Sequence, residues 1–267
     1  MNFSNYHTHT TYCDGADSPE ELVLEAIRLG CPEIGFSGHS YLPEDTGSMS
    51  PDGTHAYCAE VKRLKEEYAD RIRIHLGIEL DYFSDYPDNE TFDYTIGAVH
   101  YVLKDGCMCS VDESRDSFLR TVETVYNGDY YSFAEDYFRT VADVYNRTHC
   151  DIIAHFDLIT KYNEGDCLFD TRHPRYTAAA DAALDCLLKS PAVLEVNTGA
   201  IARGYRKSPY PDSRILQRWL DAGHPVILSA DCHDKRQLLC GFAEVAAGIP
   251  KPELILSKLP LKISELS

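Results

Sequence analysis

The strongest constraint on this chain is a repeated pattern: a short apolar run that ends at a histidine or a carboxylate, then a stretch with helical spacing. Residues 32–37 lead to His39, 73–80 contain Glu79, 94–99 lead to His100 and 150–154 lead to His155. Residues 192–197 and 225–230 continue the series, and the last run delivers Asp231 and His233. The opening segment fits the same pattern, with His7-Thr8-His9 followed by Asp14-Gly15. Residues two apart on an extended strand share a face, so His7 and His9 can aim two imidazoles at one point.

Helical signals fill the intervals. Ser18-Pro19-Glu20-Glu21 combines an N-cap, a proline at the first helical position and a capping-box glutamate, and predicts a helix running to Gly30. Tyr57, Val61, Leu64 and Tyr68 recur at helical spacing after a Pro- and Gly-rich loop over 41–54. Further helices are predicted over 113–126, 130–147, from Pro174 to near Lys189, 213–222 and 235–247. The stretch through Asp105 and Gly106 reads as a polar loop, and the residues after Pro250 as a short helix and tail. Seven short strands thus alternate with helices, with no linker between them, which predicts one α/β domain spanning 1–267. Crossover connections make successive strands parallel, so all seven C-terminal ends lie on one side.

Composition narrows the chemistry. At 44% apolar residues, with 18 Tyr and 10 Phe, the 267-residue chain has ample material for a core. No run is long enough to span a membrane and no secretory signal precedes the first strand, so a cytoplasmic protein without membrane association is expected. Ten scattered cysteines then read as free thiols, and Cys107-x-Cys109 lacks a second pair at zinc-site spacing. A formal charge of −18 opposes binding to nucleic acid.

Six of the eleven histidines (His7, His9, His39, His100, His155 and His233) fall at strand ends, together with Asp14, Glu79 and Asp231. His75, inside a strand, reads as a packing residue. Nine nitrogen and oxygen donors exceed one tetrahedral ion and suit two or three divalent cations, with Zn, Mn and Fe all compatible. Such a centre acidifies a bridging water and clamps phosphoryl oxygens, which points to phosphoester hydrolysis of a small phosphomonoester; deacylation and amide hydrolysis also use paired metals. The loop 198–211 adds Arg203, Arg206 and Lys207, and Lys161 follows His155 by six residues; Arg203, Lys161 and Arg206 are the candidate substrate-binding cations.

His7-x-His9 with Asp14-Gly15, Ser37-Gly38-His39, Gly77-Ile78-Glu79, His100, His155 and Asp231-Cys232-His233 together resemble the motifs of the PHP (polymerase and histidinol phosphatase) superfamily. Length, Gly97-Ala98-Val99-His100 and Glu195-Val196-Asn197-Thr198 are most similar to its histidinol-phosphate phosphatase branch. The resemblance implies a distorted (β/α)7 TIM-like barrel with metals at its strand ends. One ion would take His7, His9, Glu79 and Asp231; a second would share Glu79 and add His100 and His155; a third would take Asp14, His39 and His233. Gly38 stands where Asp is common in the family. The implied reaction is hydrolysis of L-histidinol phosphate, with Glu79 bridging two ions and Asp231 as one candidate for protonating the leaving oxygen. Carboxylates near Glu44, Asp45 or Asp81 would meet the histidinol part. Alternatives within the superfamily are another small phosphomonoester, a phosphotyrosine protein or, against the acidic charge, a nucleic acid end; a non-catalytic metal-binding regulator is the alternative of another class.

Overall fold

The computed structural model describes residues 3–85 and 91–259. In chain order its elements are α1 (Pro19–Leu29), β1 (Glu33–Phe36), α2 (Pro51–Glu67), β2 (Arg73–Asp81), β3 (Tyr94–Ala98), β4 (Tyr101–Lys104) and β5 (Cys107–Ser110). There follow α3 (Arg115–Val125), α4 (Tyr130–Thr148), β6 (Ile152–Ile153), α5 (Pro174–Leu187), β7 (Val193–Asn197), α6 (Gly199–Ala202), α7 (Ser213–Asp221), β8 (Val226–Ser229), α8 (Phe242–Gly248) and β9 (Ile255–Leu256). Seven strands form one curled sheet in the order β1-β2-β3-β6-β7-β8-β9, every neighbouring pair parallel.

The opening segment, expected as a strand, closes the curl without regular pairing. On one side it accepts from Gly35 N through Asn5 O at 2.8 Å and from Ser37 N through Thr8 O at 3.0 Å. On the other, His9 N donates to Cys232 O at 2.8 Å and Cys232 N to His7 O at 3.0 Å. The pairings reduce to isolated bridges. The Asn5 side chain adds two stitches, donating to Leu238 O at 3.0 Å and accepting from Ala230 N at 3.2 Å.

Period-two alternation sorts the strands into two packed faces. Leu76, Ile78, Leu80, Leu194, Val196, Val226 and Leu228 pack in the large cluster shared with the helices. Tyr94, Ile96, Ala98, Ile152, Val193 and Ile227 form a second, inner cluster. Stepping by two along the inner face reaches His100 from Ala98, Glu195 from Val193 and Asp231 from Ile227 by way of Ser229. The face that is mostly apolar low in the curl, with His75 the exception on β2, is therefore ionisable at its C-terminal end. Room for the Tyr94 ring comes from glycine: a Cβ on Gly35 or Gly77 would collide with it.

Local signals explain most helix ends. Ser18 and Glu21 form the reciprocal capping box at α1, and Ser50 caps α2 ahead of Pro51, so the loop predicted over 41–54 stops earlier. The last predicted helix divides into a 3-10 turn (Lys235–Gln237) and α8, because Gly241 between them is left-handed at φ 76°. The polar loop predicted at Asp105-Gly106 is instead the tip of an antiparallel hairpin, β4 with β5, both residues having positive φ. That is the dihedral requirement of a tight hairpin turn. After Pro250 the chain forms a 3-10 turn (Pro252–Leu254) and β9 rather than an α-helix; the remainder of that predicted tail, 260–267, lies outside the described residues. All ten cysteines are free thiols, and among the described residues no helix is long and apolar enough to cross a membrane.

Candidate metal centre

Glu79, near the C-terminal end of β2 and 1% exposed, is the hub around which the strand-end residues gather. Its Oε1 lies 3.3 Å from His7 Nε2, 3.5 Å from His100 Nε2 and 3.3 Å from His155 Nε2. Its Oε2 lies 3.5 Å from His9 Nε2 and 2.9 Å from His39 Nδ1. Asp231 faces the same centre, with Oδ1 3.1 Å from His9 Nε2 and 3.6 Å from His7 Nε2. Asp14 sits to one side, 3.1 Å from His233 Nε2, 3.5 Å from His39 Nε2 and 3.6 Å from His9 Nδ1. The Asp14-Gly15 turn can approach this closely because a Cβ on Gly15 would lie 2.5 Å from the His9 carbonyl carbon.

The donors fit cations. His7 Nε2, His9 Nε2 and Glu79 Oε2 are buried side-chain atoms whose neighbours, close as some lie, are not aligned as hydrogen-bond partners. Leaving a buried polar atom unpaired costs about 1–3 kcal/mol, so three converging on one point mark a place built for something other than packing. Donor atoms of His9, Asp14, His39 and His233 all lie within 4.8 Å of one another, as do those of His7, His9 and Glu79 and those of His39, Glu79 and His100. All nine expected residues thus surround one region, but the grouping differs from the expected three sets. His9 belongs to the Asp14 cluster as well as to the Glu79 cluster, and His39 reaches Glu79 as well as Asp14. One ring nitrogen of each faces either side, a division that residue spacing cannot reveal.

Supporting carboxylates fix the rings. Glu195 Oε1 lies 2.5 Å from His7 Nδ1, and its Oε2 accepts from His155 N at 2.8 Å and from Asn197 at 2.9 Å. Ser229 also donates to Glu195. Asp81 Oδ2 accepts from His100 N at 3.1 Å and lies 3.2 Å from His100 Nδ1. Each carboxylate thereby turns a particular ring nitrogen toward Glu79, the role outer-sphere partners play at metal sites. Asp81, expected to meet the histidinol part, is occupied with His100. Asp231 has φ 46°, a left-handed conformation that Asp tolerates better than most residues. Arg203 braces it, donating to its Oδ2 at 2.8 Å and to its carbonyl at 2.9 Å.

Electrostatics follow from this crowding. Burial alone would raise Glu79, but His7, His39 and His100 hold it well below the usual carboxylate range. Asp231 is likewise lowered against burial, by Arg203 and His7. Burial, with the charges of His233 and His39, pushes His9 down to about 3, leaving a neutral imidazole with one ring-nitrogen lone pair to offer. Burial also opposes charge on His7, yet Glu195, Glu79 and Asp231 raise it well above its ordinary value.

Above this floor opens a cavity of about 300 Å³ whose lining includes Asp45, Tyr101, Asp112, Lys161, Arg203 and Tyr205. Lys161 Nζ donates to Asp112 O at 2.8 Å and to its carboxylate at 3.1 Å. Arg206 is absent from the lining; its guanidinium turns inward over the Tyr210 ring at 4.7 Å. Glu44 is exposed and does not line the cavity. Sequence reasoning missed Asp112, which follows the unrecognised hairpin; the Asp105-Gly106 turn was the available signal.

A family profile described as the PHP domain matches residues 5–199. The chain belongs to the PHP family. A Schizosaccharomyces pombe protein named probable histidinol-phosphatase is 26% identical over 257 residues, covering 87% of this chain and 81% of the relative. Two solved structures share the PHP fold. The candidate histidinol phosphatase hisK of Listeria monocytogenes superposes with a TM-score of 0.81 at 22% identity, over 90% of this chain and 99% of that one. The histidinol phosphate phosphatase of Lactococcus lactis, complexed with Zn, L-histidinol and phosphate, gives 0.70 at 22% identity, over 96% and 95%.

Proposed function

We propose that this PHP protein is a cytoplasmic, metal-dependent phosphomonoesterase that hydrolyses L-histidinol phosphate to L-histidinol and phosphate. The observation that carries the reading is the set of unpartnered donors on His7, His9 and Glu79 beneath a cavity walled by Lys161 and Arg203. The names of its relatives and the Zn, L-histidinol and phosphate in the Lactococcus neighbour select the substrate. His7, His9, Asp14, His39, Glu79, His100, His155, Asp231 and His233 would hold two or three divalent ions, for which Zn, Mn and Fe all suit the nitrogen and oxygen donors. When bound, such ions acidify water and neutralise charge on the phosphoryl oxygens.

The chain's own residues do the rest. Glu195 and Asp81 keep the His7 and His100 rings from rotating. Arg203 and Lys161 offer fixed positive charge to a phosphoryl group entering the cavity, compensating the negative charge of its ester. Asp231, held ionised by Arg203 and His7, accepts hydrogen bonds and carries no proton of its own to donate. Water adds to phosphorus as the P–O(histidinol) bond breaks; of the water's two protons one stays on the phosphate and the other is matched by the proton that the departing oxygen takes, so histidinol and hydrogen phosphate are the products. Monoester hydrolysis is among the slowest uncatalysed reactions, so several positive groups are warranted.

The test is phosphate release from L-histidinol phosphate before and after chelation. Activity abolished by the chelator and restored by Mn or Zn supports the assignment; unchanged turnover in rigorously metal-free protein overturns it.

A further inference from the structure

Arg206 is a buried cation that does not line the cavity. It is 9% exposed at its side chain and belongs to the β7–α7 loop that also carries Arg203. Its Nη1 donates to Thr160 Oγ1, and its Nη2 donates to Ser208 Oγ at 3.2 Å. Asp157 Oδ2 lies 4.0 Å away and also accepts from Asp212 N at 3.0 Å. Thr160 immediately precedes Lys161, in the turn that follows β6. One guanidinium therefore joins the turn carrying Lys161 to the loop carrying Arg203. A second tie runs parallel to it, from Lys207 N to Glu164 Oε2 at 3.2 Å.

We propose that Arg206 is a positioning residue that sets the spacing between Lys161 and Arg203, without itself meeting substrate. This rests on the reading that those two cations bind the phosphoryl group. A planar, forked donor suits the role because it bonds two elements at fixed angles, whereas an ammonium would serve as a point charge. The Tyr210 face beneath it removes the remaining rotational freedom. Asp157, buried with one oxygen unpartnered, adds an attracting carboxylate 4.0 Å from the guanidinium.

The test is a double-mutant cycle on the metal-loaded enzyme. KM and kcat for L-histidinol phosphate, competitive inhibition by inorganic phosphate, metal content and thermal midpoint are measured for Arg206→Met, Lys161→Met and the double variant. We expect Arg206→Met to raise KM and the phosphate inhibition constant about tenfold, the scale of losing one charge-assisted hydrogen bond, with metal content unchanged. In the Lys161→Met background the same substitution should change either constant by less than about twofold, since coupled residues are not additive. Arg206→Lys should resemble Arg206→Met. Full additivity with Lys161→Met, or retention of function in Arg206→Lys, would overturn the positioning role in favour of direct charge donation. If Arg206→Met fails to fold, Thr160→Val removes the acceptor, together with the hydroxyl's own bond to Asp157 O at 2.7 Å, and should weaken phosphate binding in the same Lys161-dependent manner; no effect there would likewise overturn it. Failure of the underlying reading looks different: Lys161→Met and Arg203→Ala would themselves leave phosphate inhibition unchanged, and the positioning role would fall with it.

Discussion

The curled sheet holds a part-buried histidine–glutamate cluster around Glu33 and a fully buried one around Glu79, and they differ in how completely their polar atoms are partnered. Low in the curl, Glu33 Oε2 accepts from Tyr6 Oη at 2.6 Å and pairs with His75 Nε2 at 2.8 Å. None of these three residues leaves a buried side-chain atom without a partner among the described residues. Four residues further along β2, about 13 Å at strand rise, Glu79 meets five imidazoles and leaves buried donors on His7, His9 and itself unpaired. The same residue types give a closed hydrogen-bond set in one place and converging lone pairs in the other. Between these two clusters, what separates structural from functional polarity is therefore the convergence of unpaired atoms on one point, not the presence of His and Glu.

The sharpest way to break this contrast is at its hub. Glu79→Gln removes the charge that faces His7, His9, His39, His100 and His155 together, and should cost on the order of a hundredfold or more in kcat, beyond the usual effect of an outer-sphere change. Metal content should fall with it. Full activity with a full metal complement would show that Glu79 is a packing residue like Glu33.

One layer out, Glu195→Gln tests whether the supporting carboxylate matters. It keeps the shape but loses the charge that fixes the His7 ring, and it should lower metal affinity or activity roughly 10- to 100-fold. Equilibrium metal competition checks it. A variant indistinguishable from wild type would confine the function to the inner donors.

The positions of these donors were largely legible in the sequence, because a period of two forces it. Once 94–99 reads as a strand ending at His100, and 225–230 as one delivering Asp231, both fall on the face opposite the helices. His155 is legible from its place just beyond the 150–154 run rather than from alternation, since Ala154 rather than His155 continues the inner face of β6. The sharing of His9 and His39 between clusters was not legible: it depends on which ring nitrogen faces which carboxylate, a matter of side-chain rotation. The roles of Arg203 and Arg206 were not separable either. Three residues apart in one loop, they look equivalent until Thr160 and Tyr210, from distant or folded-back backbone, turn Arg206 inward. The β4–β5 hairpin was legible in principle from Asp105-Gly106, but its four-residue strands carry little alternation of their own.

At the lower cluster the expectation reverses. Glu33→Ala leaves the Tyr6 hydroxyl and the His75 ring without their acceptor and should destabilise the fold by about 1–3 kcal/mol, read by urea unfolding. Metal content and kcat should stay within about twofold of wild type. A variant of normal stability that lost its metal would mean that the two clusters act as one.

The smallest expected effect is the pH response of that lower cluster. Burial would raise the Glu33 carboxyl, but hydrogen bonds from Tyr6 and His75 outweigh it and hold it below its ordinary value. A lowered carboxylate stabilises the fold fully above its unfolded value, about 4.3, and that contribution is lost as pH falls through the folded value. The comparison is wild type against Glu33→Gln, both metal-free, so that loss of cations from the upper cluster cannot enter. Their stability difference should be flat from pH 7 to about 5 and shrink below about 4. Partial exposure and screening keep the change under about 1 kcal/mol. A difference that grew on acidification would mean that Glu33 is protonated in the native state, and the closed hydrogen-bond set would then depend on a neutral carboxyl donor rather than on a carboxylate acceptor.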